Sequence, residues 1–253
     1  MRRRARTAAV VSARLTDVRT TISSLPRAAI LHAAESGRLQ RLVQRHGKRV
    51  GAARFVAGET LDDCVAVLRA LNETGLHANT TLLGEAIPDV DGAAAVTAEY
   101  ERILERLVAE RLKANVALKL THLGLSFDEG VAYGNLERLV AHAAGLGSFI
   151  RVDMEQSDYV EVTLRTYERL RDAGHESVGT VLQSYLFRTA DDLERLLPRA
   201  PNLRIVKGAY LEPESIAYPE KRDVDRAYLE LVQRGLRDGA YIAVATHDES
   251  IIR

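Results

Sequence analysis

Two cations stand in the run Leu203-Arg204-Ile205-Val206-Lys207-Gly208-Ala209-Tyr210, where they alternate with aliphatic residues before a small-small-aromatic step. Read as a strand, the run points Leu203, Ile205 and Lys207 one way and Arg204, Val206 and Gly208 the other. A guanidinium and an ammonium on so apolar a strand are costly to bury without an anionic or polar partner. The plain reading is that both snorkel at the strand ends to neighbouring carboxylates. The chemical reading is that a bound group supplies the partner, and the other apolar runs favour it. Near their C-terminal ends stand Asn79 to Thr81, Lys119 with His122, Asp153 with Glu155, Gln183 with Tyr185, and Thr246 with His247. Parallel α/β proteins gather their chemistry at that end of their strands.

The elements that must position these residues follow from periodicity. Residues from about Thr16 to Gln44 read as amphipathic helices with Leu25, Ile30, Leu31, Leu39 and Leu42 as buried positions. They make residues 1–50 an N-terminal helical segment. Residues 51–253 then alternate: helix Thr60 to Gly75, strand Leu76 to Leu83, helix Ala93 to Lys113, strand Asn115 to Leu123, helix Gly130 to Leu146, strand Ser148 to Met154. The pattern continues with helix Ser157 to Ala173, strand Val178 to Tyr185, helix Ala190 to Pro198, strand Leu203 to Val206, helix Asp223 to Gly239 and strand Ala240 to Ala245. Such alternation is the signature of a parallel sheet, open or closed as a (β/α)8 barrel. No Gly-x-Gly-x-x-Gly follows the first strand and no Walker loop is present, which favours the barrel. Six strands are visible and the chain stops at Ile251-Ile252-Arg253, where a helix should begin. The expectation is a distorted TIM-type barrel lacking its last two βα units.

Bulk properties narrow the chemistry. Lys plus Arg and Asp plus Glu both number 35, so no global field draws the chain to nucleic acid or an anionic membrane. The lone Cys64 lies in a helical pattern and reads as a small core residue. No run reaches transmembrane length, and Met1-Arg2-Arg3-Arg4 precedes only a short, arginine-interrupted apolar patch, a poor secretory signal. The expected location is the cytoplasm, peripheral to the inner membrane. The seven histidines are scattered without metal-ligand spacing, so no metal site is expected. Glu99, Glu101, Arg102, Glu105, Arg106, Glu110 and Arg111 read as a solvated helix side. Arg188 reads as a loop residue, and His122 has no assigned role.

With these residues assembled, the chain resembles the proline dehydrogenase family. The matching motifs are Phe55-Val56-Ala57-Gly58-Glu59-Thr60, Leu118-Lys119-Leu120, Val152-Asp153-Met154-Glu155, Leu182-Gln183-Ser184-Tyr185, Arg204-Ile205-Val206-Lys207-Gly208-Ala209-Tyr210 and Ala245-Thr246-His247, collinear from about Arg54 to the end. The resemblance implies a distorted barrel holding FAD at the C-terminal ends of its strands. It implies oxidation of L-proline to Δ1-pyrroline-5-carboxylate, with electrons passing to a membrane quinone. In this resemblance Arg204 contacts the flavin N5 region, Gln183 hydrogen-bonds the isoalloxazine, and Lys207, Ala209, Thr246 and His247 line the rest of the cofactor. Lys119 matches the lysine that holds the substrate carboxylate, and Asp153 the acid beside it; with Arg204 these are the catalytic candidates. The plain alternative for Lys119 and Asp153 is an ion pair between adjacent strands. The family's Tyr-x-x-Arg-Arg substrate clamp is absent from the sequence. The competing expectation is therefore a flavin-binding remnant impaired in catalysis. A flavin barrel with another substrate, as in methylenetetrahydrofolate reductases, is disfavoured by the Arg204 to Tyr210 motif.

Overall fold

A computed structural model describes residues 7–8, 56–84 and 87–253, which fall in two compact units. The helices expected within residues 1–50 lie outside the described residues. Of the described residues, 7–8, 56–83 and 112–114 fall in the first unit. It holds β1 (Thr7–Ala8), α1 (Leu61–Glu73) and β2 (Ala78–Leu82), with β1 and β2 antiparallel. Thr60 and Asp63 begin α1 as a capping box, each side chain accepting the other's backbone N–H. Cys64 is buried with its Sγ 3.3 Å from Thr80 Oγ1. Burial pushes the thiol up against the opposing pull of that contact, so Cys64 is the inert core residue the sequence suggested.

The second unit comprises residues 84–111 and 115–253. Its elements, Ala114 apart, are α2 (Val90–Ala109), β3 (Ala114–Leu118), α3 (Glu129–Gly145), β4 (Ile150–Val152), α4 (Ser157–Asp172), β5 (Val178–Gln183), α5 (Thr189–Leu196), β6 (Asn202–Val206), α6 (Lys221–Arg237), β7 (Tyr241–Val244) and α7 (Glu249–Ile252). Strands β3 to β7 pair in parallel in chain order, with Val116 opposite Ile150, Ile150 opposite Val178, Thr180 opposite Leu203 and Leu203 opposite Ile242. Each parallel step is bridged by a helix, the repeating unit of an α/β barrel. Side-chain caps start α2 and α3: Asp89 accepts from Gly92 N–H and Asp128 from Val131 N–H.

The sheet interior below the strand ends is sealed by Arg151. It donates to the carbonyls of Thr180 and Asn202 at 3.1 and 2.9 Å and to Asn202 Oδ1 at 2.6 Å, and it lies over the Phe149 ring. Burial, with Arg204 nearby, lowers its pKa to about 10. Gly179 makes this packing possible, because a Cβ there would sit 2.5 Å from the Arg151 guanidinium and 2.6 Å from the Asn202 carbonyl.

Three expectations need correction. The apolar run after Leu118 does not continue as strand: Leu120–Leu123 is a 3-10 turn closed by Gly124 at φ 112°. Its buried side chains pack on α2 and α3, and continuous apolarity does not distinguish that from a strand. The charged side of α2 is not simply solvated, since Glu99 is buried beside Arg102 and Glu101 takes a two-pronged bond from Arg138 of α3 at 2.6 Å. Arg188 does lie in a turn, as expected, but it has a role there. It precedes α5 and bridges Asp192 at 2.8 Å and Glu161 of α4 at 2.5 Å, which pushes its guanidinium pKa further up.

Candidate active site

The C-terminal ends of β3 to β7 open on one cavity of about 540 Å³. Lys119 directly follows β3, Asp153 follows β4, Gln183 ends β5, Arg204 lies on β6, Lys207 and Ala209 follow it, and Thr246 and His247 follow β7; all eight line the cavity. The geometry thus brings together the eight residues that the resemblance assigned to the site, whereas Asn79 to Thr81, His122, Glu155 and Tyr185, the other strand-end candidates, do not line the cavity.

Arg204 projects inward from β6 between Leu203 and Ile205, which are fully buried on the other side. Its guanidinium pairs with Asp153, so Asp153 has Arg204 rather than Lys119 as its ion-pair partner. Burial raises the Asp153 pKa, and the pull of Arg204, Lys119 and Arg151 does not bring it back to the ordinary aspartate value. The pair is therefore a poised one. Arg204 Nε is buried with no hydrogen-bond partner among the described residues. A donor left over in this way suits an acceptor held in the cavity.

Lys207 departs from the strand parity expected of it. Strand β6 ends at Val206, Gly208 turns at φ 120°, and Lys207 lines the same cavity as Arg204. Its ammonium lies 2.6 Å from Asp225 and 2.9 Å from Asp248, and Lys221 joins both carboxylates. Both cations of the motif thus meet carboxylates of the chain, as the plain reading had it, with Arg204 Nε left over.

Bonds from Ser250, Lys207 and Lys221 hold Asp248 far below the usual carboxylate range. Burial opposes the same effect at Asp225, but Lys207 and Lys221 still hold it low. Carboxylates depressed in the folded state stabilise it above their ordinary pKa of about 3.9, and that contribution is lost as the pH falls through their lower folded values. We expect the melting-temperature difference between the parent protein and Lys207→Met to stay constant from about pH 7 to 5 and to shrink below about pH 4. Melting followed across that range checks it, and a difference independent of pH would sink the assignment.

A Cβ on Gly208 would fall 2.3 to 2.6 Å from the Tyr185 ring, in a backbone conformation that side chains rarely adopt. Gly208→Ala must move the ring or the turn, displacing Lys207, Ala209 and Tyr210 together. The expected outcome is a loss of about 1 to 3 kcal/mol in stability, read by denaturant titration.

The loop after β6 is tied down at its far side. Helix α4 has no side-chain cap of its own; Glu212 instead accepts from Ser157 N–H at 2.8 Å and its hydroxyl at 2.6 Å. This holds Tyr210 over the cavity, its phenol pKa raised by burial and then by Glu155 and Asp153. The cavity also includes Met154, Tyr210 and Asp248, which were not among the selected residues. Tyr210 ends the cation motif and could have been read from it. Asp248 carries no local signal, because its partner Lys207 lies 41 residues away.

The family model for proline dehydrogenase matches residues 64–253. The proline dehydrogenase of Deinococcus radiodurans is 40% identical over 235 residues, covering 91% of this chain and 76% of that protein. Proline dehydrogenase 1 of Bacillus subtilis (strain 168) is 35% identical over 226 residues, covering 89% and 74%. Among solved structures, proline utilization A (PutA) from Bdellovibrio bacteriovorus inactivated by N-propargylglycine superposes with a TM-score of 0.74 at 21% identity. That superposition covers 89% of this chain and 28% of the larger one, and it shows the shared barrel fold. With strand-end residues and family model in agreement over the same stretch, the chain belongs to the proline dehydrogenase family.

Proposed function

We propose that the cavity at the ends of β3 to β7 binds FAD and L-proline side by side and oxidises proline to Δ1-pyrroline-5-carboxylate. The observation that carries this is the buried Arg204 Nε, without a hydrogen-bond partner among the described residues, in a cavity that also holds the Gln183 amide and the small residues Gly208, Ala209 and Ala245. Small side chains leave room for a planar ring system, and the amide and guanidinium supply donors for its polar edge. FAD, when bound, accepts the hydride and its electron pair.

The chain's own residues do the rest. Lys119 holds the proline carboxylate, which fixes the ring carbon on the far side of the nitrogen towards the acceptor. That carbon gives up hydride, the nitrogen gives up a proton, and a C=N bond forms between them. The proton must leave first, since a positive nitrogen opposes positive charge at its neighbour. Asp153, close to Lys119 and paired with Arg204, sets the field at this point. Arg204 places positive charge where the electrons arrive. Gln183, Lys207, Ala209, Thr246 and His247 line the cofactor. In the same reading a quinone takes the electrons at the inner-membrane surface and the protein works from the cytoplasm. No described helix is long and apolar enough to cross a membrane, so contact with the quinone is sought in flotation with liposomes.

The decisive experiment is the visible spectrum of FAD-loaded protein on anaerobic addition of L-proline. Bleaching of the flavin band supports the reading. A bound flavin that stays oxidised favours a cofactor-binding protein impaired in catalysis, and failure to take up flavin removes the cofactor assignment.

A further inference from the structure

Glu155 is only 5% exposed, and among the described residues no cation pairs with it. A carboxylate buried to that depth has to be held by hydrogen bonds. Both come from Thr121, whose backbone N–H reaches Oε1 at 3.2 Å and whose hydroxyl reaches Oε2 at 2.7 Å. The backbone carbonyl of Glu155 is engaged as well, accepting from Gln183 Nε2 at 3.0 Å. The Gln183 backbone is fixed in turn by Thr189, whose hydroxyl donates to its backbone carbonyl at 2.6 Å.

The placement of these bonds gives them meaning. Thr121 sits two residues after Lys119, in the 3-10 turn for which Lys119 is the N-cap. Glu155 sits two residues after Asp153, and the Asp153 N–H bonds Leu118 O at 2.7 Å, immediately before Lys119. One buried residue therefore ties three strand ends together: the turn bearing Lys119, the segment bearing Asp153, and the Gln183 amide. Neither Thr121 nor Glu155 lines the cavity itself.

We infer that Glu155 is a positioning residue of the site, setting Lys119 through Thr121 and orienting the Gln183 amide through its own carbonyl. The inference rests on the reading that Lys119 meets the substrate carboxylate and Gln183 the cofactor. Its physical content is preorganisation: a lysine on a turn free to shift would hold a carboxylate less well, and an amide free to flip would present either its donor or its acceptor.

The test compares Thr121→Val, which removes one of the two bonds to Glu155, with Thr121→Ser, which keeps both. Three quantities are measured: KM and kcat for L-proline in the FAD-loaded protein, the Kd of cyclopentanecarboxylate read from the flavin spectrum, and the rate of reductive methylation of Lys119 in protein without flavin, mapped by mass spectrometry. Loss of a hydrogen bond to a buried charge should raise KM and Kd by about tenfold and leave kcat nearly unchanged. It should also change the Lys119 methylation rate, while the serine variant matches the parent in all three. A valine variant that melts at lower temperature but matches the parent in these quantities makes the pair merely structural and overturns the inference. A serine variant as impaired as the valine variant overturns it too. Should proline fail to bleach the parent flavin, the proposed reaction fails alone, and the Lys119 methylation of the two variants still decides the positioning role.

Discussion

Replacing Arg204 by methionine should lower kcat for proline by about a hundredfold to a thousandfold, the effect of removing one well-placed donor from a site where charge arrives. The fold should tolerate the change. Arg204 projects into the cavity, whereas β6 packs through Leu203 and Ile205 on its other side, and methionine keeps the aliphatic stem. The second effect falls on Asp153. Its pKa is already raised by burial, with Arg204 the foremost opposing influence. Losing that cation pushes the carboxyl up further, so protonation becomes its escape from an unpaired buried charge. The sign is definite: the acidic limb of the pH–rate profile moves to higher pH in Arg204→Met. Combining it with Asp153→Asn should cost less than the two single changes together, since the second removes the stranded charge left by the first. Steady-state kinetics of the four proteins across pH test this. An unmoved acidic limb, or strictly additive losses, would show that the pair does not act as a unit.

The contrast between Arg204 and Lys207 shows what the sequence reveals and what it conceals. Alternation of Leu203, Arg204 and Ile205 identified the strand and sent Arg204 to the face that became the cavity, because period-two patterning is a local property. The same pattern misplaced Lys207, since nothing local says that β6 ends at Val206 and that the chain turns at Gly208. Carboxylate partners were harder still. Asp153 lies 51 residues from Arg204, and Asp248 lies 41 from Lys207. Only the parallel register, which sets β4, β5 and β6 side by side, brings such residues together. The Thr121–Glu155 bond was invisible for the same reason, compounded by the turn at Leu120–Leu123 that reads as strand. Strand-end residues were legible as candidates because parallel sheets concentrate chemistry there. Their pairings were not, because pairings belong to the register.

Lys119→Met should instead raise KM for proline by about tenfold to a hundredfold, the worth of one hydrogen bond to a charged group. Lys119 stands at the β3 end, where the chain leaves the strand for the 3-10 turn, and among the described residues no carboxylate pairs with it at contact distance, whereas Arg204 and Lys207 are both engaged by carboxylates. A cation not engaged by a described carboxylate is the one best placed to receive a carboxylate from solution. The flavin spectrum should be unaltered, because the cofactor's proposed donors are Arg204 and Gln183. Lys119→Arg should restore only part of the binding: a planar fork needs two aligned acceptor directions where an ammonium needs one, and the fixed turn leaves little room to re-aim it. Lys119 also draws Asp153 downward, so its loss should move the acidic limb slightly to higher pH, in the same direction as Arg204→Met and by less. The two variants are therefore told apart by which constant changes: substrate affinity when Lys119 is lost, turnover when Arg204 is lost. A Lys119→Met protein with unchanged KM would move the carboxylate to another cation and leave the Arg204 argument standing.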